Sequence, residues 1–174
     1  MLVPNQVAPK LIVPTLSHGI FDLTKEKSIN FTMVVFFRGL HCPICINYLS
    51  ELALLQSEFF DNGVNQIVIS SDNKTRSEET ASLIKADQIR YGYDLSIPVA
   101  REWGLYISKG EKNSSNKFKE PELFPEPGIF LVRPDNTVYY ISVQSMPFAR
   151  SAFKDLIEMI KFVVPREYPA RGTA

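Results

Sequence analysis

The apolar positions of this chain change period part-way along, and the change marks its most informative stretch. Residues 31–37, FTMVVFF, form an apolar run, short and rich in aromatics and valine, which predicts a buried strand. The loop Arg38-Gly39-Leu40-His41 follows, then Cys42-Pro43-Ile44-Cys45, and beyond it the spacing is helical. Cys45, Leu49, Leu52, Leu55 and Phe59 recur at one stripe of an amphipathic helix. Pro43 suits the first helical position, where its missing N–H costs nothing, and Asp61-Asn62-Gly63 supplies a stop. Residues 65–70, NQIVIS, predict a second strand parallel to the first. The cysteines then stand outside the carboxyl end of the first strand, the usual ligand edge of such sheets.

The remaining pattern is plainer. Residues 1–30 read as extended segments and turns, an arm packed across the core, with Ser17-His18-Gly19 and Asp22 as turn signals. His18 is within conceivable reach of the site, although a lone loop histidine is more often solvated. Thr75-Arg76-Ser77-Glu78 has the spacing of a capping box and predicts a helix to about residue 90. A brief helix is expected over 98–103, and residues 108–122, polar and lysine-rich, read as a solvated loop. Two apolar runs, 128–133 and 137–143, flank Pro134-Asp135-Asn136 and predict a hairpin. Phe153, Leu156, Ile157, Ile160 and Val163-Val164 mark a last amphipathic helix, ended by Pro165. No internal repeat or linker interrupts this order, so residues 1–174 are expected to form one domain.

Composition narrows the function classes. Lys plus Arg equals Asp plus Glu at 19 each, so no overall field draws the chain to nucleic acid or to an anionic membrane. No apolar run approaches the roughly 18 residues a spanning helix needs. The N-terminal stretch lacks a basic segment and is broken by prolines, which does not fit a signal peptide. Only two cysteines, one helical turn apart, argue against an extracellular disulfide scaffold, so a reducing cytoplasm is expected.

Those cysteines are the candidate chemistry. The thiolate is the nucleophilic form of cysteine, and the unpaired N–H groups at a helix N-terminus stabilise an anion there. Cys42 stands at that end, with Arg38 and His41 before it as sources of positive charge. Cys45 is one turn on, close enough to close a disulfide. As a staple such a bridge would do little, since it closes a tiny loop, but as a redox centre it needs no unfolding. Half a zinc site is a competing reading, but the chain holds no other cysteine and only His18 and His41. A pair of inert core cysteines is the other. The C-x-x-C beside a βαβ pattern favours redox chemistry, with no cofactor implied.

The order βαβ, helix, β-hairpin, helix, with C-x-x-C opening the first helix, resembles the thioredoxin fold: α/β, a central mixed sheet flanked by helices, here with an N-terminal extension. Within that superfamily the chain is similar to the peroxiredoxin-like proteins of the alkyl hydroperoxide reductase and thiol-specific antioxidant group. The resemblance rests on FFRGLHCPIC, EPGIFLVRPDN, VQSMPFARSAF and YPARG. It implies that Cys42 attacks and Cys45 resolves, with Arg38, Gly39, His41 and Pro43 shaping the site. It also implies that Pro127 follows Glu126 through a cis bond and faces the two sulfurs. Established members carry Pro and Thr or Ser where this chain has Val35 and Gly39, and an arginine where it has Pro127. Those groups polarise peroxide, so disulfide exchange is expected to be the stronger activity. Arg38 or Arg150 would be the replacement cation, though a solvated surface position is the plainer reading of Arg150. Proline first between the cysteines, as in glutaredoxins, implies a potential of roughly −200 to −230 mV.

The implied function is a thiol-disulfide oxidoreductase or thiol-dependent peroxidase acting on a peroxide or disulfide. It would be recharged by an external thiol of thioredoxin, glutaredoxin or glutathione type, and a homodimer is compatible with it. A redox-responsive binding module without turnover is the alternative.

Overall fold

The computed structural model describes residues 2–86, 88–111 and 117–174. Its centre is a five-stranded mixed sheet in the order β5-β4-β3-β8-β9. Strand β3 (Phe31–Phe36) is buried throughout and leads through the Cys42 loop into helix α1 (Pro43–Asp61). The helix returns the chain to β4 (Val64–Ile69), which pairs parallel to β3 from Phe31↔Val64 to Phe36↔Ile69. Gly63 makes the return possible. Its φ is +73° and its N–H closes on the Phe60 carbonyl at 2.8 Å, a left-handed helix stop that glycine takes without strain.

Strand β3 splits the core in two because successive side chains point to opposite faces. Phe31, Met33, Val35 and Phe37 join α1 and α4 (Phe153–Val163) in one apolar cluster. Val34 and Phe36 join the other, with Trp103, Phe130 and the N-terminal arm. There Phe36, Trp103 and Phe130 stack at 4.8–5.7 Å between ring centroids. Each fully buried aromatic side chain stabilises by about 1.5–3 kcal/mol.

The arm folds as β1 (Ile12–Pro14) antiparallel to β2 (Ile20–Asp22), and is tied to the sheet by bridges Thr15↔Gly92 and Val7↔Thr137. Helix α2 (Lys74–Ile84) is shorter than expected and starts differently. Asn73, not Thr75, caps it, accepting the Arg76 N–H at 3.0 Å, and Lys85 turns left-handed at φ +56° to end it. A two-residue strand β5 (Tyr91–Gly92) then adds parallel to β4. Helix α3 (Ile97–Glu102) follows, capped by Ser96.

The polar stretch 108–122 is bracketed by a ribbon that polarity alone conceals. Strands β6 (Ile107–Lys109) and β7 (Leu123–Pro125) pair antiparallel, from Ile107↔Pro125 to Lys109↔Leu123. The middle of the expected loop, 112–116, lies outside the described residues. The hairpin expected after it is present as β8 (Gly128–Val132) and β9 (Val138–Val143), with β8 antiparallel to β3.

One expectation fails here. No cis peptide occurs among the described residues, so Glu126–Pro127 is trans. The reason is the ribbon. The Glu126 N–H reaches the Tyr106 carbonyl at 2.8 Å and the Pro127 carbonyl accepts the Gln144 N–H at 2.9 Å. The chain thus runs extended from β7 straight into β8, and the residue before a proline prefers that extended conformation. No helix among the described residues is long and apolar enough to cross a membrane.

Candidate active site

Cys42 is the N-cap of α1. Its backbone is extended, Pro43 holds the first helical position, and its sulfur accepts the Cys45 N–H at 3.2 Å. The sulfur therefore satisfies one of the orphan donors at a helix start, where the macrodipole also favours negative charge. Both thiols are free; Cys42 is 2% exposed and Cys45 fully buried. The two differ sharply in acidity. Hydrogen bonding from the Cys45 thiol draws the Cys42 thiol down to about 7 against the opposing cost of burial. The Cys45 amide and the charges of Arg38 and Arg150 add to it. Burial pushes Cys45 well above the ordinary thiol range, with Cys42 as neighbour adding to the rise. One cysteine is poised as thiolate near neutrality and the other keeps its proton.

Two arginines bear on this pair. Arg150, from the loop before α4, lies with its guanidinium 3.8 Å from the Cys45 sulfur, donates to the Ile44 carbonyl at 3.1 Å and stacks on the Tyr48 ring at 3.9 Å. The loop is pinned next door: the Tyr48 hydroxyl donates to the Ser151 carbonyl, and the Ser151 hydroxyl bonds those of Tyr140 and Ser142. Arg38, in the loop between β3 and Cys42, is ion-paired with Glu120 at 3.6 Å and Glu126 at 3.5 Å, its guanidinium over Phe124.

The family model of the AhpC/TSA family matches residues 4–141. The chain belongs to the AhpC/TSA family. Membership makes it a thiol-dependent oxidoreductase, a peroxiredoxin-like peroxidase of antioxidant function that works through redox cysteine. No curated protein matches the sequence. Solved structures do match its fold. Peroxidoxin BcpB from Mycobacterium tuberculosis aligns at TM-score 0.71 and 16% identity, over 94% of this chain and 99% of that one. A yeast mitochondrial 1-Cys peroxiredoxin, solved to show thiol resolution via glutathione/thioredoxin systems, aligns at TM-score 0.75 and 16% identity, over 96% and 78%. Reduced Prx3 from Vibrio vulnificus in complex with hydrogen peroxide aligns at TM-score 0.72 and 13% identity, over 92% and 99%.

The surroundings of Gly39, Val35 and Pro127 are well defined in this AhpC/TSA protein. Gly39 has φ +127°, and a Cβ built there would lie 2.4 Å from Asp72 Oδ2. That buried carboxylate accepts the Leu40 N–H at 2.7 Å and the Arg76 Nε–H at 2.6 Å, so it fixes the loop ahead of Cys42. Val35 is buried in β3, opposite Ile129 of β8. Pro127, trans, supplies no cation.

His41 corrects another expectation. It is 1% exposed, its ring stands edge-on to Phe124 with ring centroids 4.6 Å apart, and neither ring nitrogen has a hydrogen-bond partner among the described residues. Burial, helped by the Arg38 charge, pulls its pKa down to about 4, so at neutral pH it brings no positive charge to Cys42. Pro43 is exposed at the helix start, and Glu126 is buried in the Arg38 cluster. His18 bonds Ser17 and lines a cleft with Gln56 and Arg90, apart from the thiols. Arg150 is the residue whose surface reading fails. Tyr48, one turn beyond Cys45 on α1, provides the ring on which its guanidinium rests. Asp72, Glu120 and Ser108 carried no signal in the sequence. Among the described residues no group of three or more His, Cys, Asp or Glu side chains is placed to hold a metal ion.

Proposed function

We propose that Cys42 is the attacking thiol of this peroxidase and Cys45 its resolving thiol. The observation that carries the reading is the hold on the Cys42 sulfur, which caps α1 through the Cys45 N–H and is the more acidic thiol of the pair. The Cys42 thiolate attacks a peroxide oxygen. The O–O bond breaks, the sulfur becomes a sulfenic acid, and the departing alkoxide or hydroxide takes up a proton. Cys45 then gives up its proton and attacks the oxidised sulfur. An S–S bond forms, the S–O bond breaks, and the hydroxide leaves as water. The Arg150 guanidinium beside Cys45 favours the thiolate this second step requires. An external thiol attacks the disulfide and returns both cysteines to the reduced state at the expense of its own oxidation.

Peroxide as substrate is supported by the similar peroxiredoxin solved in complex with hydrogen peroxide, and a thioredoxin- or glutathione-type donor by the one whose thiol resolution runs via glutathione/thioredoxin systems. Disulfides remain the second substrate class of the proposal. The working compartment is the cytoplasm, where free thiols such as Cys42 and Cys45 stay reduced. Residues 1–174 act as one domain, a reading supported by two apolar clusters that share the strands of one sheet. Steady-state consumption of hydrogen peroxide with a thioredoxin or glutathione donor tests the proposal. Cys42→Ser should abolish turnover; undiminished turnover by that variant would overturn it.

A further inference from the structure

The Arg38 cluster holds more negative charge than one arginine needs. Glu120 and Glu126 both pair with it, at 3.6 and 3.5 Å, and their side chains are only 9% and 4% exposed. Glu126 is also held by β6, whose Ser108 hydroxyl donates at 2.5 Å to Oε1, the same oxygen that pairs with Arg38. Among the described residues its other oxygen and the Arg38 Nε have no hydrogen-bond partner, so the carboxylates are set against the guanidinium as charges more than as bonding partners. In a site this dry, charge interactions are weakly screened. Two carboxylates against one guanidinium leave the trio formally negative.

We infer that Glu126, with Glu120 beside it, is a positioning residue that ties the Arg38 guanidinium to the β6–β7 ribbon and withholds part of its charge from Cys42, keeping the attacking sulfur nucleophilic. The inference rests on Cys42 as the attacking thiol. The other charges facing the site do not replace this control. Arg150 approaches from the Cys45 side, Asp72 and Arg76 pair with each other at 2.6 Å, and His41 is neutral.

The benefit follows from the chemistry of thiolates. Nucleophilicity falls as a thiol becomes more acidic, and the best attacking thiol has a pKa near the ambient pH. Cys42, at about 7, already sits there. A bare Arg38 would add little thiolate at neutral pH and would weaken the attack of every thiolate present.

Glu126→Gln keeps the shape and removes the charge. The ultraviolet thiolate absorbance and the rate of alkylation by iodoacetamide, each followed against pH, report the result without needing turnover. For each unit by which Cys42 becomes more acidic, alkylation should slow about threefold near pH 8.5 and quicken about threefold near pH 5.5. That crossing is not what a loosened fold produces, since loosening shifts rates in one direction at every pH. Glu120→Gln should move the profile the same way, and it serves where Glu126→Gln folds poorly. In an Arg38→Gln background the effect of Glu126→Gln should largely vanish. An unchanged or less acidic Cys42 in both glutamine variants, or a shift that persists in full without Arg38, overturns the inference. Alkylation that goes first to Cys45 in the wild-type chain overturns the assignment of Cys42 instead.

Discussion

The sulfur of Cys42 accepts the backbone N–H of Cys45 at 3.2 Å, so the thiol assigned to attack is also the cap of the helix that carries its partner. Stability and reactivity meet in one atom. The two separate on mutation. Cys42→Ser retains an oxygen acceptor and should fold with nearly unchanged stability, whereas Cys42→Ala loses the cap and should cost about 0.5–2 kcal/mol. Neither should turn over. Denaturant titration beside the peroxidase assay checks both statements.

Arg150 bears on the second step more than on the first. Its guanidinium lies 3.8 Å from the Cys45 sulfur and helps the thiolate form there. Arg150→Met should make Cys45 less acidic and slow disulfide formation about threefold for each unit of that change, since the tenfold loss of thiolate is partly offset by the greater nucleophilicity of the thiolate that remains. Sulfenic acid at Cys42 should then accumulate. Trapping with dimedone during a peroxide pulse measures it; trapping no greater than in the wild type would remove Arg150 from the resolving step.

Position 39 has no room for a side chain. Gly39→Ser puts a Cβ against the Asp72 carboxylate in a backbone conformation side chains rarely adopt. A loss of about 1–3 kcal/mol is expected, with no gain in reaction with peroxide. In the same vein the wild-type thiol should react with hydrogen peroxide below roughly 10⁷ M⁻¹s⁻¹, well short of the diffusional ceiling, while its disulfide exchange compares better with established enzymes. Stopped-flow oxidation decides both points.

His41 makes the fold sensitive to acid. Folded, the ring stays neutral down to about pH 4; unfolded, it protonates at its ordinary value of 6.5. Between those values the unfolded state binds the extra proton, so stability falls as the pH drops from 6.5 to about 4 and levels off below. The full loss is about 3 kcal/mol, at about 1.4 kcal/mol for each pKa unit. His41→Leu should flatten that slope. An equally steep slope in the variant would show that other groups cause it.

The strand–loop–helix unit was legible in the sequence because several local signals agree there. The apolar run of β3, Pro43 and Gly63 each mark an end that the backbone then obeys. Helix α2 was misjudged where one residue decides: Lys85 turns left-handed with no glycine to announce it. The ribbon of β6 and β7 hid inside a polar stretch, since its pairing is held by backbone and by the buried contacts of Phe124. That hidden ribbon also explains why Glu126–Pro127 is trans. The meeting of Arg150 with Cys45 joins residues 105 positions apart, and no local pattern encodes it. Cys42, Cys45 and the neighbouring Arg38 could be found from local sequence; Arg150 could be named only as a candidate, and the carboxylates around Arg38 other than Glu126 not at all.

The most direct test oxidises the reduced protein with one equivalent of hydrogen peroxide and maps the product by peptide mass. The account predicts an intramolecular Cys42–Cys45 disulfide in the wild type. In Cys45→Ser it predicts a dimedone adduct on Cys42, and in Cys42→Ser neither product. A sulfenic acid trapped on Cys45, or a wild-type product bridged only between two chains, would contradict it.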